Sequence, residues 1–254
     1  MEATGMTENT DPLGSYLALL REKLTQLETT QRAALERAAD AVAETLVKDG
    51  LVHVFGSGHS HMVAEELFYR AGGLGAINPI LEGDLMLHES ATGSTQKERQ
   101  PGRGHQVFDR LNPNPIDTLI VISNSGGNQI ALELAERARA NGMAVIAIVS
   151  LQHVRSGVAL RDGVTTLDQL ATITIDNLGV AGDAAIELAE AGAVMGPTSS
   201  VVGVTIANSI AMTAVSLATR AGVRAGVFSS SNVAGGDERN RELIARYQSR
   251  VVAL

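Results

Sequence analysis

The residues best able to do chemistry gather in three turns rich in hydroxyls and glycine. Ser123-Asn124-Ser125-Gly126-Gly127-Asn128 follows a β-branched run and opens a helical pattern. At a helix N-terminus the free backbone N–H groups and the helix dipole favour an anion. The hydroxyls of Ser123 and Ser125 add donors, and Gly126 lets the backbone approach a ligand closely. Ser and Asn are also good helix caps, so the same residues read as an ordinary capped turn. A second turn, Gly56-Ser57-Gly58-His59-Ser60-His61, lacks the lysine of a P-loop and the full dinucleotide fingerprint. A third, Gly196-Pro197-Thr198-Ser199-Ser200, introduces an apolar helical run with proline in a first-turn position. Three such turns in one chain predict a site for a small anionic ligand.

Acid and base groups lie close to these turns. His61 and Glu65 are four residues apart and share one face of a helix, as an acid/base pair or as ligands for a metal such as zinc. The expectation is no resident metal and no cofactor, with zinc on His61 and Glu65 as the alternative. His59 lies on the turn itself, whereas His53 lies inside a strand and reads as a core histidine. Asp84 and His88 have helical spacing and, with Glu89, form a polar group that faces either a ligand or solvent. His153 follows another strand and is a further acid candidate.

The elements that position these groups alternate along the chain. Residues 1–13 read as a disordered tail and residues 14–50 as N-terminal helices, joined near Thr29-Thr30 and packing on the domain or on a partner subunit. Residues 51–254 read as one domain with a C-terminal helix over Asp237–Gln248. Within it, Leu51–Phe55, Ala76–Ile80, Thr118–Ile122, Ala144–Val149 and Thr172–Ile175 read as strands. Helices follow the first of these through about Arg70 and the third from about Asn128 to Ala140. Continuous β-branched runs alternating with helices predict a parallel sheet covered on both faces. Ligands of such sheets sit beyond the carboxyl ends of the strands. Residues 82–115, broken by Gly93, Pro101, Gly102, Gly104, Pro113 and Pro115, read as a long loop with a short helix near Leu85–Ser90.

Composition narrows the partners. The 254 residues are 44% hydrophobic, enough for a full core, and carry a net charge of -8, which argues against nucleic acid. Only 3% are aromatic, leaving little for stacking on bases. With no cysteine there is no disulfide scaffold and no thiolate nucleophile, which fits a reducing cytoplasm. The N-terminal residues lack the basic flank and apolar stretch of a signal peptide. The apolar run from Ser199 to Ala218 carries Thr205, Asn208, Ser209 and Thr213, which suits a buried helix better than a membrane span. The expectation is a cytoplasmic protein with no membrane partner. Its apolar helices exceed what one small sheet can cover, which predicts a homo-oligomer.

The strand Thr118–Ile122 with Ser123-Asn124-Ser125-Gly126 resembles the phosphate loop of the sugar isomerase (SIS) domain. Gly56-Ser57-Gly58 with Ala64-Glu65-Glu66-Leu67 looks like the corresponding segment of phosphoheptose isomerases. His53–His61, Gly196–Ser199 and Asn232–Asp237 together resemble a group of bacterial SIS-domain proteins close to those isomerases. The resemblance covers nearly the whole chain after the tail. It implies a three-layer α-β-α sandwich around a central, mainly parallel five-stranded sheet, and a dimer or tetramer with sites near subunit interfaces. It implies a sugar phosphate, or a similar anionic sugar, bound by Gly56, Ser57, Gly58, His59, Ser60, Ser123, Asn124, Ser125, Gly126, Asn128, Thr198 and Ser199. Aldose–ketose isomerisation through an enediol needs a base between adjacent carbons and an acid at the oxygens. By its place in the motif Glu66 is the implied base, with Glu65 as competitor and His61, then His153 or His88, as acid. Asp84, His88, His153 and Asp183 are further possible substrate contacts. Gly182-Asp183-Ala184 resembles the family's Tyr-Gly-Asp-Ala stretch, with Ala181 in the aromatic position and no counterpart to the histidine that follows it. Two other activities share this framework: a sugar-phosphate sensor without catalysis, and an etherase acting on an amino-sugar phosphate.

Overall fold

A strand such as Thr118–Ile122, apolar on both sides, is stable only where both faces of its sheet are covered. The computed structural model of the protein describes residues 11–157 and 165–254 and contains such a sheet. The chain runs α1 (Pro12–Thr30), α2 (Arg32–Val47), β1 (Val52–Gly56), α3 (His61–Leu67), β2 (Ile77–Ile80), α4 (Leu87–Lys97), α5 (Arg103–Leu111) and β3 (Thr118–Ile122). It continues through α6 (Gln129–Ala140), β4 (Ala144–Val149), α7 (Leu151–Arg155), α8 (Leu167–Leu170), β5 (Ile173–Asp176), β6 (Ala184–Leu188), β7 (Ala193–Pro197), α9 (Ser199–Arg220) and α10 (Gly236–Tyr247).

Five strands pair in the order β2-β1-β3-β4-β5, all parallel. Alternate side chains enter two cores. Val52, Val54, Ile120, Ile122, Ile146 and Ile148 pack under α2, α3 and α9. Phe55, Leu119, Val121, Val145 and Val149 pack under α5, α6 and α8. Each fully buried side chain of this size stabilises the fold by about 1.5–3 kcal/mol. The order places β1 beside β3, with β2 on one side and the later strands on the other. The winding therefore reverses between β1 and β3, which opens a crevice at their carboxyl ends. By length and composition α9 could cross a membrane, but Val202, Ile206 and Ile210 lie in the core and the helix packs along α2.

Four sequence expectations change. Residues 1–10 of the expected tail lie outside the described residues, and Pro12 and Leu13 belong to α1, because Asp11 caps that helix by accepting from Gly14 N–H at 2.9 Å. The helix expected to reach Arg70 ends at Leu67, where Phe68 turns extended. Residues 82–115 are mostly helical. α4 is polar and kinked at Ser90, and it forms by packing on the Gly58–Ser60 turn, a contact local propensity does not encode. α5 is capped from a distance: the buried Glu133 carboxylate on α6 accepts from Gly102 N–H (2.7 Å) and Gly104 N–H (2.8 Å). Burial opposes ionisation of Glu133, but its bonds from Gln129, Gly102 and Gly104 outweigh that and lower its pKa. Finally, β6 and β7 form an antiparallel hairpin that the sequence reading missed, since its alanines and glycines carry little strand preference. Tyr16 on α1 ties it down by donating to Pro197 O at 2.8 Å.

Candidate functional site

The turns after β1 and β3 meet across the crevice. Gly56 ends β1, Gly58–Ser60 form a single 3₁₀ turn, and α3 starts at His61. Beyond β3, Gly126 adopts φ +65, a conformation glycine reaches without strain, and its N–H closes the turn on Ser123 O at 3.0 Å. Asn128 Nδ2 then donates across the crevice to Ser57 Oγ at 2.8 Å. Ser57 and Asn128, 71 residues apart, therefore share one cradle at the N-terminus of α6.

A third residue completes that cradle. Glu98, just past the end of α4, accepts from Ser57 Oγ–H (2.7 Å) and Asn128 Nδ2 (2.8 Å) at one carboxylate oxygen. Its backbone carbonyl accepts from Ile130 N–H, in the first turn of α6, at 3.3 Å. Nothing in the run Lys97-Glu98-Arg99 marks this residue, so sequence reasoning had no signal for it.

On the β3–β5 side, Asn124 Oδ1 accepts from Asn177 Nδ2 (2.9 Å) and Asn124 O accepts from Ser150 N–H (3.1 Å). These bonds fix the turn against the ends of β4 and β5. A cavity of about 20 Å³ lies here, lined in part by His59, Ser60, Asn124, Asn177, Ser199 and Ser200. Ser200, in the third hydroxyl-rich turn, and Asn177, just after β5, join the site by position.

The remaining expected residues divide between the site and the scaffold. Thr198 and Ser199 do lie at the start of α9, with Thr198 Oγ1 buried and unbonded. Asp183 is engaged there as a cap: Oδ1 accepts from Thr198 N–H (3.2 Å) and Ser199 N–H (3.1 Å), and Oδ2 accepts from Ser199 Oγ–H. Its positive φ of 68 is held by those bonds. His153 accepts Gly182 N–H at Nδ1 (3.1 Å), which bolsters the turn leading to Asp183. Asp84 pairs with Arg103 (2.9 Å), which also binds Glu82, while His88 and Glu89 are exposed on α4.

His61 is 3% exposed, with Nδ1 donating to Gly58 O at 3.2 Å and Nε2 buried without a hydrogen-bond partner. Burial lowers its pKa, so the ring is neutral. It therefore sits beneath the turn and not in the crevice. Glu65 is exposed. Glu66 lies in the groove between α3 and α9, bonded to Arg70 (2.5 Å) and accepting from Asn208 Nδ2 (3.1 Å). Among the described residues no group of three or more His, Asp or Glu side chains is placed to hold a metal ion. The Asn232–Asp237 segment leads into α10, and Asn240 ties the preceding Ser229 to that helix through both of its backbone groups.

Fold and site together define an α/β protein of parallel sheet and crossing helices, with its candidate site at the carboxyl ends of β1 and β3. It belongs to the SIS domain family, whose model matches residues 15–150. A UPF0309 protein of Geobacillus thermodenitrificans is 36% identical over 242 residues, spanning 95% of this chain and 97% of the relative. One of Brucella anthropi is 41% identical over 246 residues, spanning 96% and 98%. Among solved structures, the phosphoheptose isomerase GmhA from Neisseria gonorrhoeae shares the fold with a TM-score of 0.51 at 17% identity, covering 82% of this chain and 97% of its own. The Vibrio vulnificus NanR protein complexed with ManNAc-6P gives a TM-score of 0.54 at 12% identity, covering 93% and 70%.

Proposed function

We propose that the protein binds a sugar phosphate in the crevice between β1 and β3 and isomerises it between aldose and ketose through an enediol. The observation that carries this reading is the meeting of Ser57 and Asn128 at the N-terminus of α6, beside Ser123, Ser125 and Ser60. These are neutral donors around a helix terminus, a setting that suits a phosphate. The resemblance to phosphoheptose isomerases and the ManNAc-6P bound by NanR point to the same ligand class. Glu66 serves as base, held between α3 and α9 by Arg70 and Asn208. No metal or other cofactor is needed for this chemistry, and the cytoplasm supplies the substrate.

Solvent deuterium incorporation into a panel of pentose, hexose and heptose phosphates tests the assignment. Wild-type protein and Glu65→Gln should exchange one substrate, and Glu66→Gln should reduce exchange by roughly 10²–10⁴-fold, the usual contribution of a positioned base. Loss in Glu65→Gln alone would move the base by one residue.

A second reading, a sugar-phosphate sensor, is favoured by one observation. His61 is closed off and His153 is engaged as an acceptor, so of the three expected acids only the exposed His88 stays open. A sugar phosphate that raises the melting temperature without any isotope exchange would select it.

The active unit is proposed to be a dimer or tetramer. α1, α2 and α9 border an apolar groove of about 360 Å³ lined by Leu24, Leu27 and Leu35, and Leu17 and Met212 are exposed on the same helices. Light scattering on the purified chain should return at least twice the monomer mass, and a monomer would refute the proposal.

A further inference from the structure

We propose that Glu98 is an internal competitor for the anion cradle, so that a phosphate binds only by taking Ser57 and Asn128 from the Glu98 carboxylate. The inference rests on the phosphosugar reading and deepens it. Ser57 has one hydroxyl hydrogen, and it points to Glu98 Oε2. Asn128 Nδ2 also donates to that oxygen. A phosphate oxygen at the N-terminus of α6 would need the same two donors, and two anions cannot share them without strong repulsion in a partly buried crevice.

Glu98 is bound through its main chain as well, since its carbonyl accepts from Ile130 N–H. The C-terminal end of α4 is thereby seated on the N-terminal end of α6, with the negative pole of one helix against the positive pole of the other. This contact holds the end of α4 against the start of α6, while α4 also packs on the Gly58–Ser60 turn. Binding therefore releases Glu98 and, with it, the end of α4. The affinity for phosphate is set by that exchange as well as by the donors.

Calorimetric titration with inorganic phosphate tests the competition in wild type, Glu98→Gln and Ser125→Ala. Glu98→Gln keeps the shape and removes the charge, so phosphate should bind it about tenfold tighter. Equal or weaker binding by folded Glu98→Gln overturns the proposal and makes Glu98 a brace. Should that variant fail to fold, Glu98→Asp keeps the charge but loses the reach, and it too must bind phosphate more tightly than wild type. A second readout is hydrogen exchange. Phosphate should speed exchange across residues 95–100 of the wild type, and unchanged exchange there counts equally against displacement. Where wild type binds phosphate, Ser125→Ala loses it and Glu98→Gln gains nothing, the phosphosugar reading stands and the Glu98 proposal alone falls. If neither wild type nor Glu98→Gln binds phosphate or any sugar phosphate, both fall.

Discussion

Gly56→Ala is expected to destabilise the protein by about 2–3 kcal/mol and to weaken sugar-phosphate binding on the order of a hundredfold. A Cβ at this position would stand 2.4 Å from Ser60 O, 2.5 Å from Ser60 C and 2.6 Å from Ser60 Cβ. Two of these atoms are backbone, so no rotamer change relieves the clash. The 3₁₀ turn must move away from β1 as a unit, because Ser60 N–H is bonded to Ser57 O at 3.0 Å. Ser57, His59 and Ser60 move with it, whereas the Ser123–Asn128 turn stays where β3 and β4 hold it. The cradle is then split between a displaced half and a fixed half. Denaturant unfolding measures the first effect and calorimetry the second. A variant that retains wild-type affinity would show that Ser57 does not belong to the binding site.

The second large effect lies at the opposite end of the sheet. Asp117, just before β3, accepts from Leu51 N–H (2.7 Å), Asn114 N–H (2.8 Å) and His53 Nε2–H (3.1 Å). His53 in turn accepts from Asn78 Nδ2 at Nδ1 (2.9 Å). This buried network laces β1, β2 and β3 together, and it gives His53 the core role expected from its place in a strand. Asp117→Ala leaves His53 and two backbone donors unpaired, and should cost about 3–5 kcal/mol. Burial opposes the charge on Asp117, but the bonds from His53, Leu51 and Asn114 outweigh it and lower the pKa. The folded carboxyl thus ionises at lower pH than the unfolded one. Its contribution is complete above the unfolded value of about 3.9 and is lost as pH falls through the folded value. Wild-type stability should therefore decline below about pH 4 more steeply than that of Asp117→Ala. Parallel slopes in that range would remove Asp117 from the acid transition.

The sheet was legible because its signal is local. Thr118–Ile122 and Ala144–Val149 are β-branched, short and bounded by turn residues, and both became central strands with matching register. Ser123–Gly126 was legible for the same reason, since the residues that form the turn also carry the donors. α4 was not, because a polar helix interrupted by Gly93 and kinked at Ser90 has little intrinsic preference and forms only against its neighbours. α5 takes its cap from Glu133, 29 residues beyond the Gly104 it binds, and no local motif announces such a partner.

By itself, the sequence determined which segments become strands, which turns carry hydroxyls at helix N-termini, and that the chain is an SIS-type α/β fold. Those properties depend on residues within a few positions of one another. Only the tertiary structure decided which polar groups are spent on the scaffold and which face the crevice. Asp183, a contact expected by resemblance, is taken by the N-terminus of α9. His61, on the expected helix face, is sealed beneath the turn. Glu98, unremarkable in the sequence, reaches the cradle because α4 ends against α6. A carboxylate or an imidazole acquires its role from the donors that happen to meet it, and those donors lie tens of residues away along the chain.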